Sequence, residues 1–419
     1  MVEHVSRTPV IIDVVIIGGG PAGLSAATEL KRLGIDQVVV LERENQAGGI
    51  PRHCGHPPFG MREFTRVMTG PRYARKLVKA AELAGVDIRI STTVVEARPG
   101  GSLLIATDQG AQEITARRVV YATGVRETPR SARLISGTRP PGVLSTGSLQ
   151  SMVYLNKHKP FDRPVIIGSE LVSFSSIQTC RHAGISPVAM VEETGSAIAR
   201  WPTPLYARVT GVPLFTDTRL SAIKGHDNIV AVVVENAQGE RREIACDGVI
   251  LTGRFTPESS LSSCGHLLVD VATGGPVVDQ FGRCSDPVYF AAGNVLRPVE
   301  TAGWSWNEGR QAAHRVSQDL LGKLPSSATE RRITLANSLI KYCMPQVLSF
   351  PHHRLSMKYL QLRFTRHATG ILSMSDDTGT LWKRAMTVFP ERRVLVPLRR
   401  VVDGCQTGSI QAKFEERSP

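Results

Sequence analysis

The clearest pattern near the start of the chain is an apolar run, a glycine turn and a helical periodicity. Residues 11–17 are apolar except for one aspartate, and a short run of this kind before a glycine turn is typical of a buried strand. Apolar positions at helical spacing continue from Pro21 to about Leu33. A second apolar run, residues 38–41, is followed by Glu42. The pattern therefore predicts a strand, a tight turn, a helix and a second strand.

The glycine turn has the spacing Gly18-x-Gly20-x-x-Gly23, which a dinucleotide site requires. Gly18 allows the tight turn, Gly20 lets the backbone approach a pyrophosphate, and Gly23 lets the helix pack closely on the strand. The helix N-terminus supplies backbone N–H groups and a positive dipole for phosphates. Glu42 can accept hydrogen bonds from a ribose. Because strand, helix and acid accompany the glycines, the segment predicts a dinucleotide site.

The same succession of elements occurs again in the middle of the chain. Residues 164–167 have the strand pattern, residues 168–184 indicate a turn and a helix, and residues 187–191 form an apolar run that ends before Glu192. Internal repetition of this kind indicates two similar domains. Since patterns typical of the first copy resume after the second, we expect one domain to be inserted in the other.

We predict an α/β protein with two Rossmann-like dinucleotide-binding domains, one inserted in the other, and a small C-terminal region with strands. At 419 residues, the chain is too long for one compact core. The first domain is predicted to combine residues 1–126 and 255–325, the second to contain residues 127–254, and the C-terminal region residues 326–419. Residues 129–148, rich in proline, glycine and serine, are expected to be a linker.

Shorter apolar runs predict further elements. We expect two separate strands near 113–115 and 119–121, a strand at 277–279, and a helix from about Trp306 to Leu321. Alternation in the C-terminal region predicts strands at 359–364, 370–374 and 393–397.

The second glycine motif is degenerate. It begins with Gly168, but Glu170 stands at the second glycine position and Ser173 at the third. A side chain at the second position crowds a pyrophosphate, and a carboxylate at the helix N-terminus satisfies the dipole that would otherwise hold phosphate. NAD(P) binding is therefore doubtful, and Glu192 further disfavours a 2′-phosphate. The alternative is that Glu170 rotates into solvent and NAD still binds.

These blocks resemble the two-dinucleotide-domain flavoproteins of the glutathione reductase and thioredoxin reductase superfamily, over roughly residues 10–325. The resemblance implies that the first domain binds FAD. It implies a second FAD-contacting turn at 122–124 and a motif at 291–294, where the family usually ends in Asp and this chain has Asn294. The FAD-binding residues implied in this way are Gly18, Gly20, Pro21, Ala22, Gly23, Glu42, Arg43, Gly49, Ile50, Ala122, Thr123, Gly124, Gly293, Asn294, Thr301, Ala302 and Gly303.

A longer segment, residues 48–74, is similar to small flavin dehydrogenases associated with glycerol-3-phosphate oxidation. It is also similar to the FAD subunits of opine and hydroxyproline dehydrogenase complexes. Those opine-type subunits often carry a cysteine-rich C-terminal cluster domain, whereas residues 326–419 contain only Cys343 and Cys405. The cluster domain is therefore predicted to be absent or replaced.

The resemblance also places candidate chemistry after Glu42. Superfamily disulfide reductases have two cysteines in this segment, whereas this chain has Pro51 and His56 at those positions. An imidazole there suits proton abstraction from an alcohol or amine, so His56 and His53 are candidate catalytic residues. The alternative is a structural histidine bonded to the backbone. Glu300, which precedes the final helix, is a third candidate.

Charge and cysteine usage bear on partners. The net charge is +13, and residues 331–419 contain fifteen Lys or Arg residues but only six Asp or Glu residues. Few aromatic residues lie among these cations, which favours an acidic protein partner or a solvated face over nucleic acid. The seven cysteines form no CxxC motif, so no metal site is predicted. We expect a cytoplasmic protein without a signal peptide or transmembrane segment.

The sequence therefore predicts an FAD-dependent oxidoreductase. It would oxidise a small polar amine, amino acid derivative or hydroxy compound and pass electrons to oxygen, to a quinone or to a partner subunit. Two alternatives stay open, an electron-relay or scaffold subunit of a hetero-oligomeric dehydrogenase and an NAD(P)H-dependent flavin reductase.

Overall fold

A computed structural model describes residues 11–326, 329–354, 356–390, 392–405 and 408–417 of the chain. Its strands are β1 (Ile11–Ile17), β2 (Val38–Leu41), β3 (Asp87–Arg89), β4 (Thr93–Ala97), β5 (Ser102–Thr107), β6 (Gly110–Tyr121), β7 (Val125–Glu127), β8 (Ser136–Gly137), β9 (Val143–Ser145), β10 (Pro164–Ile167), β11 (Ala189–Val191), β12 (Leu214–Phe215), β13 (Thr218–Gly225), β14 (Ile229–Asn236), β15 (Arg241–Ala245), β16 (Gly248–Leu251), β17 (Phe255–Pro257), β18 (Tyr289–Ala291), β19 (Thr329–Leu335), β20 (Ile340–Met344), β21 (Val347–Phe350), β22 (Tyr359–Phe364), β23 (Ala368–Asp376), β24 (Gly379–Val388), β25 (Val394–Pro397) and β26 (Ile410–Glu416).

The α-helices are unevenly distributed, since β3 to β9, β12 to β17 and β19 to β25 follow one another without an α-helix between them. The α-helices are α1 (Pro21–Arg32), α2 (Met61–Phe64), α3 (Gly70–Leu83), α4 (Thr146–Gln150), α5 (Leu171–His182), α6 (Leu205–Val209), α7 (Ser260–Ser263), α8 (Ala302–Leu320) and α9 (Leu398–Val402). Short 3₁₀ turns lie at Ile50–His53, Pro99–Gly101, Ser131–Arg133 and Gly293–Val295, and a π-helical turn lies at Ser151–Leu155. No helix in the described part of the chain is long and apolar enough to cross a lipid bilayer.

The chain forms two compact units. The first unit contains Met1–Gly49, Ala74–Val125 and Pro257–Pro419, and the second contains Ile50–Tyr73 and Arg126–Thr256. The α/β character predicted from the sequence is confirmed.

Two segments group differently from the predicted division into domains. Residues 50–73 belong to the second unit, because Gly55 packs directly against the ring of Tyr154 and the Cys54 Sγ lies 3.5 Å from Gln150 Oε1. The described residues after Ser326 belong to the first unit.

The first unit is built on a parallel sheet in the order β3-β2-β1-β6. Val14–Ile17 are paired with the whole of β2 and are buried, which explains their nearly continuous apolar pattern. The long strand β6 pairs antiparallel with β5 through its first half and parallel with β1 and β18 near its end. The two strands predicted near 113–115 and 119–121 are therefore one strand.

The second unit repeats this arrangement. A parallel sheet has the order β12-β11-β10-β16-β9, and a second sheet combines β15, β14, β13 and β8. Both β8 and β9 come from residues 129–148, and β9 pairs in register with β16 through Val143 and Val249. The prediction of a linker there is wrong, because this segment adds edge strands to both sheets.

The C-terminal part of the first unit has an apolar core of its own. Two sheets, β21-β19-β26-β23-β24 and β20-β22-β25, bury a cluster that includes Leu360, Phe364, Leu372 and Phe414. The predicted strands at 359–364 and 370–374 are present within β22 and β23, and the one predicted at 393–397 is β25, which begins at Val394. Strands β24 and β26 were not predicted, because several of their positions are charged and exposed.

Two other predictions in the first unit are wrong. Residues 277–279 form no strand, because the Asp279 carboxylate accepts hydrogen bonds from the backbone N–H groups of Phe281 and Arg283 and shapes a turn. The last long helix begins at Ala302 instead of about Trp306, and Thr301 takes the extended N-cap conformation. Its first turn has no apolar periodicity that sequence analysis could detect.

Helices α1 and α8 approach each other at Gly309. A Cβ atom added to Gly309 would lie 2.1 Å from the carbonyl oxygen of Ala22. The Ser25 hydroxyl, on the same face of α1, donates a hydrogen bond to the carbonyl oxygen of Trp306. Only glycine at this position permits the close crossing.

We predict that Gly309→Ala lowers the free energy of unfolding by about 1–3 kcal/mol, because the added methyl group forces the helix backbones apart. The helix propensity of alanine offsets part of this loss. Urea unfolding measures the effect. The matched control is Gly404→Ala, where the added Cβ comes closest to a flexible side-chain tip of Leu381, at 3.3 Å. Equal stability of the two variants would contradict the prediction.

Candidate functional site

The first glycine turn has the geometry of a phosphate cradle. Gly18 has a φ of +106°, and a Cβ there would lie 2.5 Å from the carbonyl oxygen of Ala122. A Cβ on Gly23 would lie 1.9 Å from the carbonyl oxygen of Gly18. Gly20 is not crowded in this way, because the atom nearest to a Cβ added there is the Gly49 Cα, at 3.9 Å. Two glycines therefore permit packing, and the third leaves open space at the N-terminus of α1, next to Pro21.

Glu42 is held in place for a ribose. It is 7% exposed, and its Oε2 and Oε1 accept hydrogen bonds of 2.9 Å from the backbone N–H groups of Gly19 and Glu44. Each carboxylate oxygen keeps acceptor capacity for a hydroxyl. The neighbouring Arg43 is mostly exposed and lies 3.9 Å from Glu258. These positions fit the adenosine and pyrophosphate half of FAD.

Two further predicted FAD motifs lie in the same unit. The Thr123 hydroxyl donates to the carbonyl oxygen of Glu258 at 2.7 Å, and the Gly124 carbonyl accepts from the Glu258 N–H at 2.9 Å. Gly293 has a φ of +81°, and an added Cβ would lie 2.7 Å from the Ala22 Cβ. The predicted motifs are therefore anchored to α1 and to Glu258, whereas the remaining predicted contact, Ile50, belongs to the second unit.

Asn294 is bonded to the loop before α8, and its predicted contact with FAD stays a prediction. Its Nδ2 donates to the carbonyl oxygen of Glu300 at 3.0 Å, and its Oδ1 accepts from the Glu300 N–H at 2.8 Å. The amide therefore fastens the loop before α8, and one Nδ2 hydrogen is left for a ribityl hydroxyl. Thr301 is the N-cap residue, and Ala302 and Gly303 start the first turn.

Glu300, the third predicted catalytic residue, lies close to arginines of the C-terminal part. Its Oε1 lies 3.3 Å from Arg363 Nη2 and 3.5 Å from Arg393 Nη1. Two guanidinium groups therefore lie within ion-pair distance of this carboxylate oxygen. Sequence analysis missed these partners because they come from distant strands of the C-terminal part.

The two candidate histidines have different surroundings in the second unit. His56 Nδ1 lies 3.0 Å from the carbonyl oxygen of Pro57, and its ring centroid lies 5.6 Å from that of Phe59. These contacts fit the structural alternative, and the catalytic role of His56 stays a prediction. His53 Cε1 lies 3.8 Å from the position of a Cβ added to Gly147.

Glu127 lies on the same side of Gly147 as His53, and sequence analysis missed it. Its Oε2 accepts a hydrogen bond of 2.7 Å from the Gly147 N–H, whereas its Oε1 is buried without a hydrogen-bond partner among the described residues. Burial raises the pKa of Glu127, and the Gly147 N–H group opposes the rise. No motif in the sequence distinguishes this glutamate. A Cβ added to Gly147 would lie 3.5 Å from Glu127 Oε2 and 3.8 Å from His53 Cε1, so both side chains are on the same side of Gly147.

Cys54 lies next to His53 in the chain, and its thiol is not activated. Burial raises the pKa of the Cys54 thiol to about 12, and the negative charge of Glu127 adds to the effect. The protonated thiol is the stable form near neutral pH, so Cys54 acts as a small core residue.

The second glycine turn has a backbone geometry similar to that of the first, but a carboxylate lies against it. Gly168 has a φ of +113°, and Glu170 is the N-cap residue of α5. The Glu170 carboxylate turns inward, where its Oε2 accepts hydrogen bonds of 3.3 Å from the hydroxyls of Ser173 and Thr252. A Cβ on Gly253 would lie 1.9 Å from Glu170 Oε1. The carboxylate therefore covers the turn and does not rotate into solvent.

Glu192 has partners that resemble those of Glu42. Its Oε2 accepts a hydrogen bond of 2.6 Å from the Ser169 hydroxyl, and its Oε1 accepts one of 3.0 Å from the Thr194 N–H. The second unit thus keeps the acid at the end of its second strand, while its phosphate cradle is filled.

Comparisons with known proteins agree with this architecture. The sequence profile of the pyridine nucleotide-disulphide oxidoreductase family matches residues 12–315. Glutamate synthase [NADPH] small chain of Mycobacterium tuberculosis is 26% identical, over 74% of this chain and 67% of its own. An opine oxidase subunit of Agrobacterium tumefaciens is 25% identical, over 76% of this chain and 67% of its own. Thioredoxin reductase of T. acidophilum has the same fold, with a TM-score of 0.62 at 22% identity over 74% of this chain and 98% of its own.

We predict that Gly20→Ala and Gly23→Ala have different effects. Gly20→Ala places a methyl group in the open cradle, so FAD binding falls at least about tenfold (1.4 kcal/mol) while the protein stays folded. Gly23→Ala forces α1 away from β1 and lowers the thermal midpoint itself. The ratio of flavin to protein and the unfolding of the flavin-free forms measure the two effects. Retention of flavin in Gly20→Ala would contradict the assignment of the cradle.

Glu127 gives a prediction on pH. Because its pKa is raised in the folded state, the wild-type protein loses stability relative to Glu127→Gln as the pH rises from the ordinary glutamate pKa, about 4.3, through the raised value. Urea unfolding of both proteins between pH 5 and 8 measures this difference. The matched control, Glu82→Gln, changes an exposed glutamate and should show no such trend. A difference that is independent of pH would contradict the prediction.

Proposed function

Because the chain belongs to the pyridine nucleotide-disulphide oxidoreductase family, we propose that it is an FAD-dependent oxidoreductase reduced directly by a small organic substrate. Members of this family bind FAD and usually NAD(P)H. The substrate class that we propose is a small polar amine, amino acid derivative or hydroxy compound. FAD supplies the two-electron acceptor, and electrons then pass to oxygen, to a quinone or to a partner subunit.

The observation that carries this proposal is the position of Glu170. Its carboxylate lies over Gly168 and Gly253, where the pyrophosphate of NAD(P) would approach the backbone. A phosphate next to this carboxylate in a partly dry turn would be repelled by about 4 kcal/mol at 4 Å and an effective dielectric constant of 20. An oxidoreductase that does not take hydride from NAD(P)H needs another reductant, which favours direct oxidation of a substrate.

The segment after β2 also argues against thiol–disulfide chemistry. Pro51 and His56 stand where disulfide reductases of this superfamily have cysteines, and the thiol of Cys54 is buried and protonated. We propose that His53, which lies on the same side of Gly147 as Glu127, accepts the proton that leaves the substrate nitrogen or oxygen. An imidazole suits this role because its ordinary pKa lies near neutral pH.

Assembly and location are further parts of the proposal. One relative is named as a component of opine oxidase, which supports a hetero-oligomer with docking through the basic C-terminal region. All seven cysteines are free thiols in the structure, which suits a reducing cytoplasm. The resemblance to flavin dehydrogenases associated with glycerol-3-phosphate oxidation stays a prediction.

A second candidate function is an NAD(P)H-dependent reductase. It is favoured by the relative whose name, glutamate synthase [NADPH] small chain, includes that nucleotide. In this case Glu170 would have to leave the turn before the nucleotide binds. The two candidates differ in what reduces the flavin.

We predict that NADH leaves the flavin of the wild-type protein oxidised in an anaerobic visible spectrum. Glu170→Gly with Ser173→Gly restores the glycine spacing and should raise the rate of flavin reduction by NADH at least about tenfold. The control is Glu193→Gln, which removes a nearby exposed carboxylate that is paired with Arg254. Rapid reduction of the wild-type flavin by NADH would instead support the second candidate.

The substrate class is tested with the same anaerobic holoenzyme. Amino acids, N-substituted amino acids, amines and hydroxy acids are added singly, and flavin bleaching or reduction of an artificial dye is followed. Bleaching by a member of this panel supports the proposal. No bleaching by the whole panel, together with bleaching by NADH or NADPH, would overturn it.

A further inference from the structure

A cluster of arginines surrounds the loop before α8 in the first unit. Arg297, in the loop itself, is fully buried, and its guanidinium pairs through two nitrogens with the carboxylate of Glu308. Arg363 on β22 and Arg393 just before β25 approach the same loop from the C-terminal sheet. Both guanidinium groups lie close to Glu300.

The ion pairs of this cluster join three arginines to two carboxylates. Arg297 pairs with Glu308, and Glu300 is shared by Arg297, Arg363 and Arg393. The three contacts with Glu300 fall on one oxygen, Oε1, at 4.0, 3.3 and 3.5 Å, which is longer than an ordinary charge-assisted hydrogen bond. Among the described residues, these ion pairs contain three guanidinium groups and two carboxylates, so positive charge exceeds negative charge in them.

This excess of positive charge lies in a partly dry place. The side chains of Arg363 and Arg393 are only 15% and 11% exposed. Burial lowers the pKa of Arg393, and the nearby charges of Arg297 and Arg363 lower it further against the effect of Glu300. An excess of like charge away from water is costly, so an anion bound here would be stabilised.

The geometry of Arg393 suits a planar anion. Its Cζ lies 4.1 Å from the centroid of the Trp304 ring, in the first turn of α8, and its Nη1 donates to Gln361 Oε1 at 2.8 Å. Stacking on an aromatic face orients a guanidinium and leaves its N–H edge for hydrogen bonds. A guanidinium edge matches the two oxygens of a carboxylate.

We propose that Arg393 and Arg363, beside Trp304, form a binding site for the carboxylate of a small organic acid or amino acid. The proposal deepens the proposed function, on which it rests for the reaction, by requiring that the substrate carry a carboxylate. It also gives the C-terminal part of the chain a role in recognition, since both arginines come from its strands or their edges.

The test is a titration of the holoenzyme with acetate, succinate and L-glutamate at constant ionic strength, with chloride as the reference salt. At least one of these carboxylates should give a saturable change in tryptophan fluorescence and raise the thermal midpoint, because a ligand that binds only the folded state stabilises it. Arg393→Gln should weaken the apparent affinity at least tenfold, and Trp304→Phe should remove the fluorescence change while keeping the thermal shift.

The matched control is Arg366→Gln, which removes an exposed arginine of the same region that is paired with Glu416. This variant should bind like the wild-type protein. If Arg393→Gln is too unstable to purify, Arg393→Lys keeps the charge, loses the planar edge and should still show weaker binding.

The outcomes separate this proposal from the proposed function. No saturable response to any of the three carboxylates, or a response unchanged in Arg393→Gln, would overturn the carboxylate site, even if an amine or alcohol reduces the flavin. Carboxylate binding that is lost in Arg393→Gln supports the site, even if no compound of the substrate panel reduces the flavin.

Discussion

The close contact between backbones around the first glycine turn is the constraint on which the first unit depends. Gly18 lies against the carbonyl of Ala122, Gly23 against that of Gly18, and Gly309 against that of Ala22. Because no side chain separates these segments, β1, β6, α1 and α8 are held at short distances. The same closeness leaves the N-terminus of α1 facing open space at Gly20, so packing and a potential phosphate site have one cause.

The two units have similar backbones at their glycine turns, but a negative charge lies at the turn of the second unit only. Gly168 turns as Gly18 does, and Glu192 is held by its neighbours as Glu42 is. The difference comes from Glu170, whose carboxylate lies where a phosphate would be stabilised. The parallel sheet forms in both units although the residue at this position differs, so the fold does not depend on a glycine there.

The C-terminal part of the chain is closely connected with the loop before α8. The Tyr342 hydroxyl donates to the carbonyl oxygen of Pro298 at 3.0 Å, and Arg363 contacts Glu300 on the same loop. Asn294 fastens Glu300 from the other side through its amide. The loop therefore has its position set by residues that are far apart in the sequence, and the arginines that set it also carry the excess of positive charge.

The sequence alone determined the elements whose signals are local. Strands β1 and β2, helix α1 and the second βα unit follow from short apolar runs and glycine turns, because these patterns are complete within about twenty residues. The degeneracy of the second glycine motif was also visible in the sequence, because a glutamate stands in place of a glycine. Strands β24 and β26 could not be predicted from the sequence. Several of their outward positions are charged, and both strands are formed by pairing with β23.

Only the tertiary structure decided which side chains meet. It turned the Glu170 carboxylate inward, placed Glu127 and His53 on the same side of Gly147, and brought arginines of the C-terminal part close to Glu300. Each of these contacts joins residues that are distant in the chain, and no local periodicity encodes such a pairing. The ionisation of a carboxylate depends on burial and neighbouring charge, so its chemical role is determined only when the fold has brought its neighbours together.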